Sequence, residues 1–320
     1  MSLTHTKLEP RDSSGANLVF ARHETFHPRF GWLKKGFDAA LKDPSVFSKE
    51  DCHILLGVGK NMGQSIRYWC TAFKLLYESE NPGTKVRTFT PTGFGAYLLG
   101  HDGWDPYLEN PSSLWLLHWN LLKPRCHATA WHFAFNIFRK TEFSSDDLFF
   151  ALCDYRDRSV NRSSDSSLKK DVSCILRMYV EQDFRNNLSE DTIDCPFTEL
   201  GIIHKVGYAN RYVFQVGPKS SLSSEIIVSA CLEFISLLEL EQRTISISRL
   251  LFENSSPGLV FKLSESALCD AIERIALWND SITLSDSAGL IQFSFTKDPR
   301  VLAQEIIEKH FADKLGESCE

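Results

Sequence analysis

Residues 23 to 27 read His23-Glu24-Thr25-Phe26-His27, a match to H-E-x-x-H. In zinc hydrolases that spacing sets two imidazoles on one helical face, with a carboxylate between them to activate water. The chemistry requires a helix through both histidines. Pro28 follows directly, and its ring disfavours helical backbone at His27 and clashes with the carbonyl of Glu24, four residues back. The stretch is therefore expected to be a turn, and no zinc is expected. It joins a short apolar segment, Asn17 to Ala21, read as a strand, to a helix that begins after Pro28. An imidazole beside a carboxylate in such a connection still offers a general base or a ligand for a divalent ion, so His23 and Glu24 are retained as candidates for hydrolysis.

Two further groupings carry similar chemistry. His101, Asp102 and Asp105 occur within "GHDGWDPYLEN", and Asp154 and Asp157 occur among arginines. For all of these the plainer role is to cap a helix or close a turn, which Asp and His-Asp pairs do well. The chain contains no H-x-H pair, so hydrolysis would need residues that only the fold brings together.

The elements that would position such groups begin with a helix from Phe30 to Lys42 and a short one that Ser48 caps. A third helix is expected from Asn61 to Glu78. Met62, Ile66, Trp69 and Phe73 fall on one face of it at helical spacing. The outer face carries Lys60, Asn61, Gln64, Arg67, Tyr68 and Thr71. A glycine-containing turn and an alternating segment with Arg87 follow. Helix, tight turn, helix with a basic and amide-bearing face, then a strand pair is the layout of a winged helix-turn-helix. Its Lys and Arg suit phosphate or guanine, and Gln suits a base edge.

Farther along, a tryptophan-rich stretch reads as helical core. The loop "DYRDRSVNRSSDSSLKK" sets Arg156, Arg158 and Arg162 among serines, where they could hold phosphate or simply be solvated. A hairpin from Gly201 to Gly217, helices at 223–240, 246–252 and 264–277, and a strand pair at 282–284 and 290–293 suggest a second winged-helix-like module. Its second helix shows Glu265, Asp270 and Glu273 and is expected to contact protein. The fold class is thus mainly α with small β hairpins (α+β). The divisions are 1–16 as a disordered N-terminus, 17–100 as the winged helix-turn-helix, 101–194 as a helical domain and 195–320 as the C-terminal module.

Composition narrows the function classes. At 320 residues, with 43% hydrophobic and 24% charged content, the chain is an ordinary globular protein. It shows no apolar stretch long enough to span a bilayer and no signal peptide, so a cytoplasmic location without membrane contact is expected. Nine cysteines lie scattered without C-x-x-C and read as reduced core thiols. Net charge is -6, yet residues 17–100 hold 11 Lys and Arg against 7 Asp and Glu. That local surplus points to an anionic partner for the first domain, and DNA is the expected one. A homodimer is compatible with this reading.

A resemblance becomes specific across "HETF", "RFGWLKKGFDAA", "LGVGKNMGQSIRYW", "TPTGFGAYLLG", "DGWDPYLENPSSLWLLHW", "CPFTELGII" and "DSAGL". From about Asn17 to Phe311 the chain resembles a bacterial domain family of DNA phosphorothioation and phage-defence operons. Its genes lie beside an ATP-pyrophosphatase similar to phosphoadenosine phosphosulfate reductase, and the family includes the nickase component of single-strand phosphorothioation (Ssp) systems. The resemblance implies a DNA nickase working beside a cysteine desulfurase, an ATPase and that pyrophosphatase. Nicking of this kind calls for Mg2+ or Mn2+. The alternative from the residues is a non-enzymatic winged-helix regulator or adaptor that recruits the sulfur-transfer enzymes to DNA.

Overall fold

In the computed structural model, which describes residues 18–80, 83–159, 163–181, 195–207, 210–238, 242–287 and 289–317, glycines let the first helices meet at close range. Helix α1 (Trp32–Lys42) buries Trp32, Leu33, Gly36, Phe37 and Ala40. A Cβ on Gly36 would lie 2.6 Å from the Cys70 sulfur and 2.7 Å from a methyl of Ile66. Both neighbours belong to α3 (Lys60–Ala72), which buries Ile66, Trp69 and Cys70 as its period predicts. The short α2 (Cys52–Leu55) reaches α3 at Gly63, where a Cβ would stand 3.3 Å from that of His53.

The third helix stops at Ala72 instead of running to Glu78. Lys74 takes a left-handed backbone (φ 58°); its amide donates to Thr71 O at 3.0 Å and the Leu75 amide to Cys70 O at 2.9 Å. Those paired bonds end a helix at a position where glycine is usual. The freed segment becomes strand β1 (Leu76–Glu80), antiparallel to β2 (Arg87–Pro91). Phe89 N donates to Pro44 O at 2.8 Å, so the segment after α1 flanks this hairpin. The strand expected at 17–21 is absent from residues 18–20, and Asn17 lies outside the described residues. The Val19 amide donates to the Thr129 hydroxyl at 2.9 Å rather than to a ladder.

Helix α4 (Gly93–Leu99) is capped by Thr92 and α5 (Pro111–Leu122) by Asn110. Every residue of α5 after Pro111 is buried. A helix apolar on all sides can only be central, and the other elements pack around it.

A middle unit follows. Helix α6 (Thr129–His132) runs on into a π-helical turn at Phe133–Ile137. Then come β3 (Glu142–Ser144), α7 (Ser145–Asp157), α8 (Asp165–Tyr179), β4 (Ile203–Lys205) and β5 (Arg211–Phe214). Ser144 and Asp147 cap α7 reciprocally. The sheet order is β3-β5-β4, with Phe143 opposite Tyr212. The expected division at 194/195 is therefore wrong, because one sheet spans it, and residues 101–194 are not purely helical.

The last unit is α9 (Ser224–Leu237), β6 (Thr244–Ser246), α10 (Ile247–Phe252), α11 (Pro257–Phe261), α12 (Glu265–Ala276), β7 (Ile282–Ser287) and β8 (Leu290–Phe295). Its sheet order, β6-β8-β7, matches that of the middle unit: the returning strand lies between the other two. Helix α13 (Pro299–Glu317) packs on α9. One apolar core, from Phe20 to Phe311, joins all three units. Trp115, Trp119 and Trp131 lie within it at 1% exposure or less. The described cysteines are free thiols. Among the described residues no helix is long and apolar enough to cross a membrane.

Candidate functional site

The HETF segment forms a turn whose backbone is strained. Ala21, Glu24 and Thr25 all have positive φ (54°, 50° and 69°), which costs on the order of 1 kcal/mol each for residues with a side chain. Bonds from two directions hold it. From α8, both oxygens of Asp171 accept the Ala21 amide (3.0 and 3.1 Å), and Asp171 Oδ1 lies 2.8 Å from His23 Nε2. Arg177 Nη2 donates to Thr25 O at 2.7 Å. From α3, Trp69 Nε1 donates to Phe26 O at 3.0 Å. Phe26 N closes the turn on His23 O at 2.9 Å.

His23 is fully buried. Its ring stacks on Trp69 at 6.2 Å and meets the edge of Trp131 at 5.5 Å. Burial pushes the Asp171 carboxyl up, against the hydrogen bond from His23 that pulls it down. In this arrangement a phosphodiester in solvent does not reach the His23 imidazole, so the residue positions the turn. Glu24 is half-buried. His27 and Pro28 are buried just beyond it, and the Arg29 guanidinium lies 5.6 Å from the Phe26 ring centroid and 5.4 Å from that of Trp32.

The outer face of α3 does gather the residues expected on it. Lys60, Asn61 and Gln64 are exposed and Arg67 is half-exposed. Farther along the helix the face closes. Tyr68 is half-buried, its hydroxyl 3.5 Å from His127 O, and the Thr71 hydroxyl donates to Arg67 O at 2.9 Å. The open part is thus the N-terminal half, and it bears no carboxylate. On the hairpin, Arg87 pairs with Glu78 at 3.0 Å.

The remaining candidates lie apart from this face in role. His101 and Asp102 form an exposed pair, 3.0 Å between Nδ1 and Oδ1, each side chain 98% exposed. Asp105 is buried and starts α5: it accepts the Glu109 and Asn110 amides (3.0 and 2.9 Å) and the Ser113 hydroxyl (2.6 Å). Arg156 is held by Asp157 (2.8 Å), Asp165 (2.5 Å) and Ser163 O (2.9 Å), which ties α7 to α8. Arg158 and Asp154 are exposed. Arg162 lies outside the described residues.

Among the described residues no three His, Cys, Asp or Glu side chains gather as a metal site. Mg2+ keeps several waters and takes one or two carboxylates, so these residues form no protein cage for it, and no catalytic step is drawn through a metal here.

Two features escaped the sequence. Asp171 and Arg177 hold HETF from 148 and 152 positions away, which no local pattern reveals. A cleft of about 1150 Å³ also opens beside α5, lined by residues that include Lys74, Lys123, Arg125, Arg249 and Arg300. Lys74 donates to the carbonyls of Asn120 and Lys123 at the end of α5, and burial brings its amine down to about 8.

The family model for "Protein of unknown function (DUF4007)" matches residues 20–311. Among solved structures, a magnesium ion-bound SspB crystal structure is similar with a TM-score of 0.86, and a second SspB crystal structure with 0.85. Each is 36% identical to this chain, covering 92% of it and 88% of the SspB chain. No curated protein matches.

Proposed function

The chain belongs to the DUF4007 family, and from that premise we propose that it is a DNA-binding component of a DNA phosphorothioation and phage-defence system that nicks one strand for sulfur incorporation. The observation that carries this reading is the likeness to SspB along nearly the whole chain at 36% identity. The expected partners are the pyrophosphatase and the other phosphorothioation proteins.

The local geometry supports DNA contact. Helix α1, α2, α3 and the β1-β2 hairpin follow one another in the order of a winged helix-turn-helix. Lys60, Asn61, Gln64 and Arg67 then form the face offered to the duplex, and the hairpin is the wing.

One observation favours a second reading, that of a non-enzymatic adaptor. The leading catalytic candidate, His23, is buried against Asp171. Under the nicking reading the work falls to groups that solvent reaches, Glu24 or the His101-Asp102 pair.

Relaxation of supercoiled plasmid decides between the two. The neighbour's magnesium makes Mg2+ the first ion to supply, then Mn2+, with EDTA as the control. Nicking predicts metal-dependent open circles that disappear when Lys60→Ala and Arg67→Ala abolish binding. DNA binding with no relaxation above a mock-purified control leaves the adaptor.

A further inference from the structure

We infer that α8 is a second DNA-contacting helix, whose exposed Lys169 and Lys170 meet phosphates of the same duplex that α3 engages. The inference rests on the reading of the chain as a DNA-binding protein and names a surface that reading does not include.

The fold itself singles out α8. In each of the three units the helix that precedes the hairpin occupies one place in the order: α3 before β1-β2, α8 before β4-β5, α12 before β7-β8. Helix α8 buries Leu168, Val172, Cys174, Ile175 and Met178 and leaves Ser166, Lys169, Lys170 and Ser173 exposed. The Lys169 amine lies 5.1 Å from the Phe149 ring centroid, which lays its stem along α7. Neither lysine pairs with a carboxylate among the described residues. The acid at the start of the helix, Asp165, is already engaged by Arg156.

The last unit supplies an internal contrast. In the same place, α12 exposes Glu265, Asp270 and Glu273 beside Arg274. A polyanion is repelled there and attracted at α8, although the chain as a whole is acidic.

Exposed lysines are common on solvated helices, and the link to α3 is what distinguishes this pair. The strained turn at 21–26 is gripped by α3 through Trp69 and by α8 through Asp171 and Arg177. Asp171 is the immediate neighbour of Lys170. Arg22, exposed between the two residues that Asp171 holds, adds a third cation at the junction. Two basic helices fixed to one buried turn are pre-organised, so that engaging both carries little ordering cost.

The test measures duplex binding of the full chain by fluorescence anisotropy over a KCl series. Each lost phosphate contact lowers the slope of log K against log[salt] by about 0.9. The double change Lys169→Glu with Lys170→Glu is expected to lower the slope by about 2 and affinity by about tenfold or more at moderate salt. Lys169→Arg with Lys170→Arg should retain both, and Arg274→Glu on α12 should change neither. Should the double variant fold poorly by circular dichroism, Lys170→Glu alone keeps the test, with a slope change of about 1. Wild-type binding that falls with Lys60→Ala and Arg67→Ala but keeps its slope in the α8 variants overturns this inference and leaves the DNA reading standing. No duplex binding by the wild type overturns both.

Discussion

Nε2 of His23 and Oδ1 of Asp171 lie 2.8 Å apart, joined across 148 positions of chain, with side chains 0% and 2% exposed. The same carboxylate accepts the Ala21 amide, so one acid on α8 holds both ends of the strained segment. Removing it leaves a buried imidazole and a backbone amide without their acceptor. Asp171→Ala is therefore expected to cost about 3–5 kcal/mol, as breaking a buried pair does. Asp171→Asn keeps an acceptor for His23 and loses less to desolvation, so its cost should be under half as large. Urea midpoints of the three proteins check this; equal losses for Ala and Asn would show that the bonds are not what holds the turn.

A second buried imidazole makes stability depend on pH. His118 Nε2 lies 3.0 Å from Val260 O, to which it donates, while Nδ1 accepts from the Tyr179 hydroxyl at 2.8 Å. Both bonds suit the neutral ring, and burial brings it from 6.5 down to about 3. The folded value lies below the unfolded one. Its contribution is thus complete above about pH 6.5 and is lost as pH falls toward 3. At about 1.4 kcal/mol per unit, the full span is worth roughly 4–5 kcal/mol. His118→Gln should be less stable than wild type at pH 7.5 and lose less on going to pH 4, measured by urea unfolding at the two pH values. A parallel fall in both proteins would contradict this assignment.

What the sequence revealed, and what it hid, follows from how far apart the deciding residues lie. The buried face of α3 could be read because Ile66, Trp69 and Phe73 recur at helical spacing, and Pro28 foretold a turn at HETF. The end of α3 could not, because Lys74 takes a backbone conformation that glycine usually marks. The middle sheet was hidden for another reason: β3 has three residues, and its partner lies in a hairpin far downstream. Short strands carry too few residues to show an alternating pattern, so α8 was read as part of a helical domain. For the site, exposed groups such as Lys60 and Gln64 could be placed by face alone. The burial of His23 depended on Asp171, which no spacing rule connects to it.

Close packing of α4 on the start of β1 rests on one missing side chain. A Cβ on Gly95 would collide with the Leu75 carbonyl oxygen and stand 3.0 Å from its carbon and 3.1 Å from its Cα. Those atoms are backbone and cannot rotate away. Leu75 O also accepts the Thr92 amide at 3.0 Å, which sets the entry to α4. Gly95→Ala should therefore lower stability by about 1–3 kcal/mol through overpacking, read as a fall in the denaturation midpoint. Gly93→Ala, at a site with nothing within 4 Å, should stay within about 0.5 kcal/mol of wild type.

The exposed His101-Asp102 pair separates catalysis from folding more cleanly than HETF does. Both side chains are 98% exposed, so a lone hydrogen bond between them adds little to stability. His101→Ala and Asp102→Ala should keep the wild-type urea midpoint within about 0.5 kcal/mol and bind DNA normally. If the pair polarises water at the scissile phosphate, plasmid relaxation falls by roughly 10²-fold or more, the usual contribution of general acid-base groups. His23→Ala is expected to behave differently, since a buried residue that braces a turn loses stability, binding and relaxation together. Unchanged relaxation in both exposed variants, with the midpoint retained, would remove the pair from the chemistry and leave Glu24 as the next group to change.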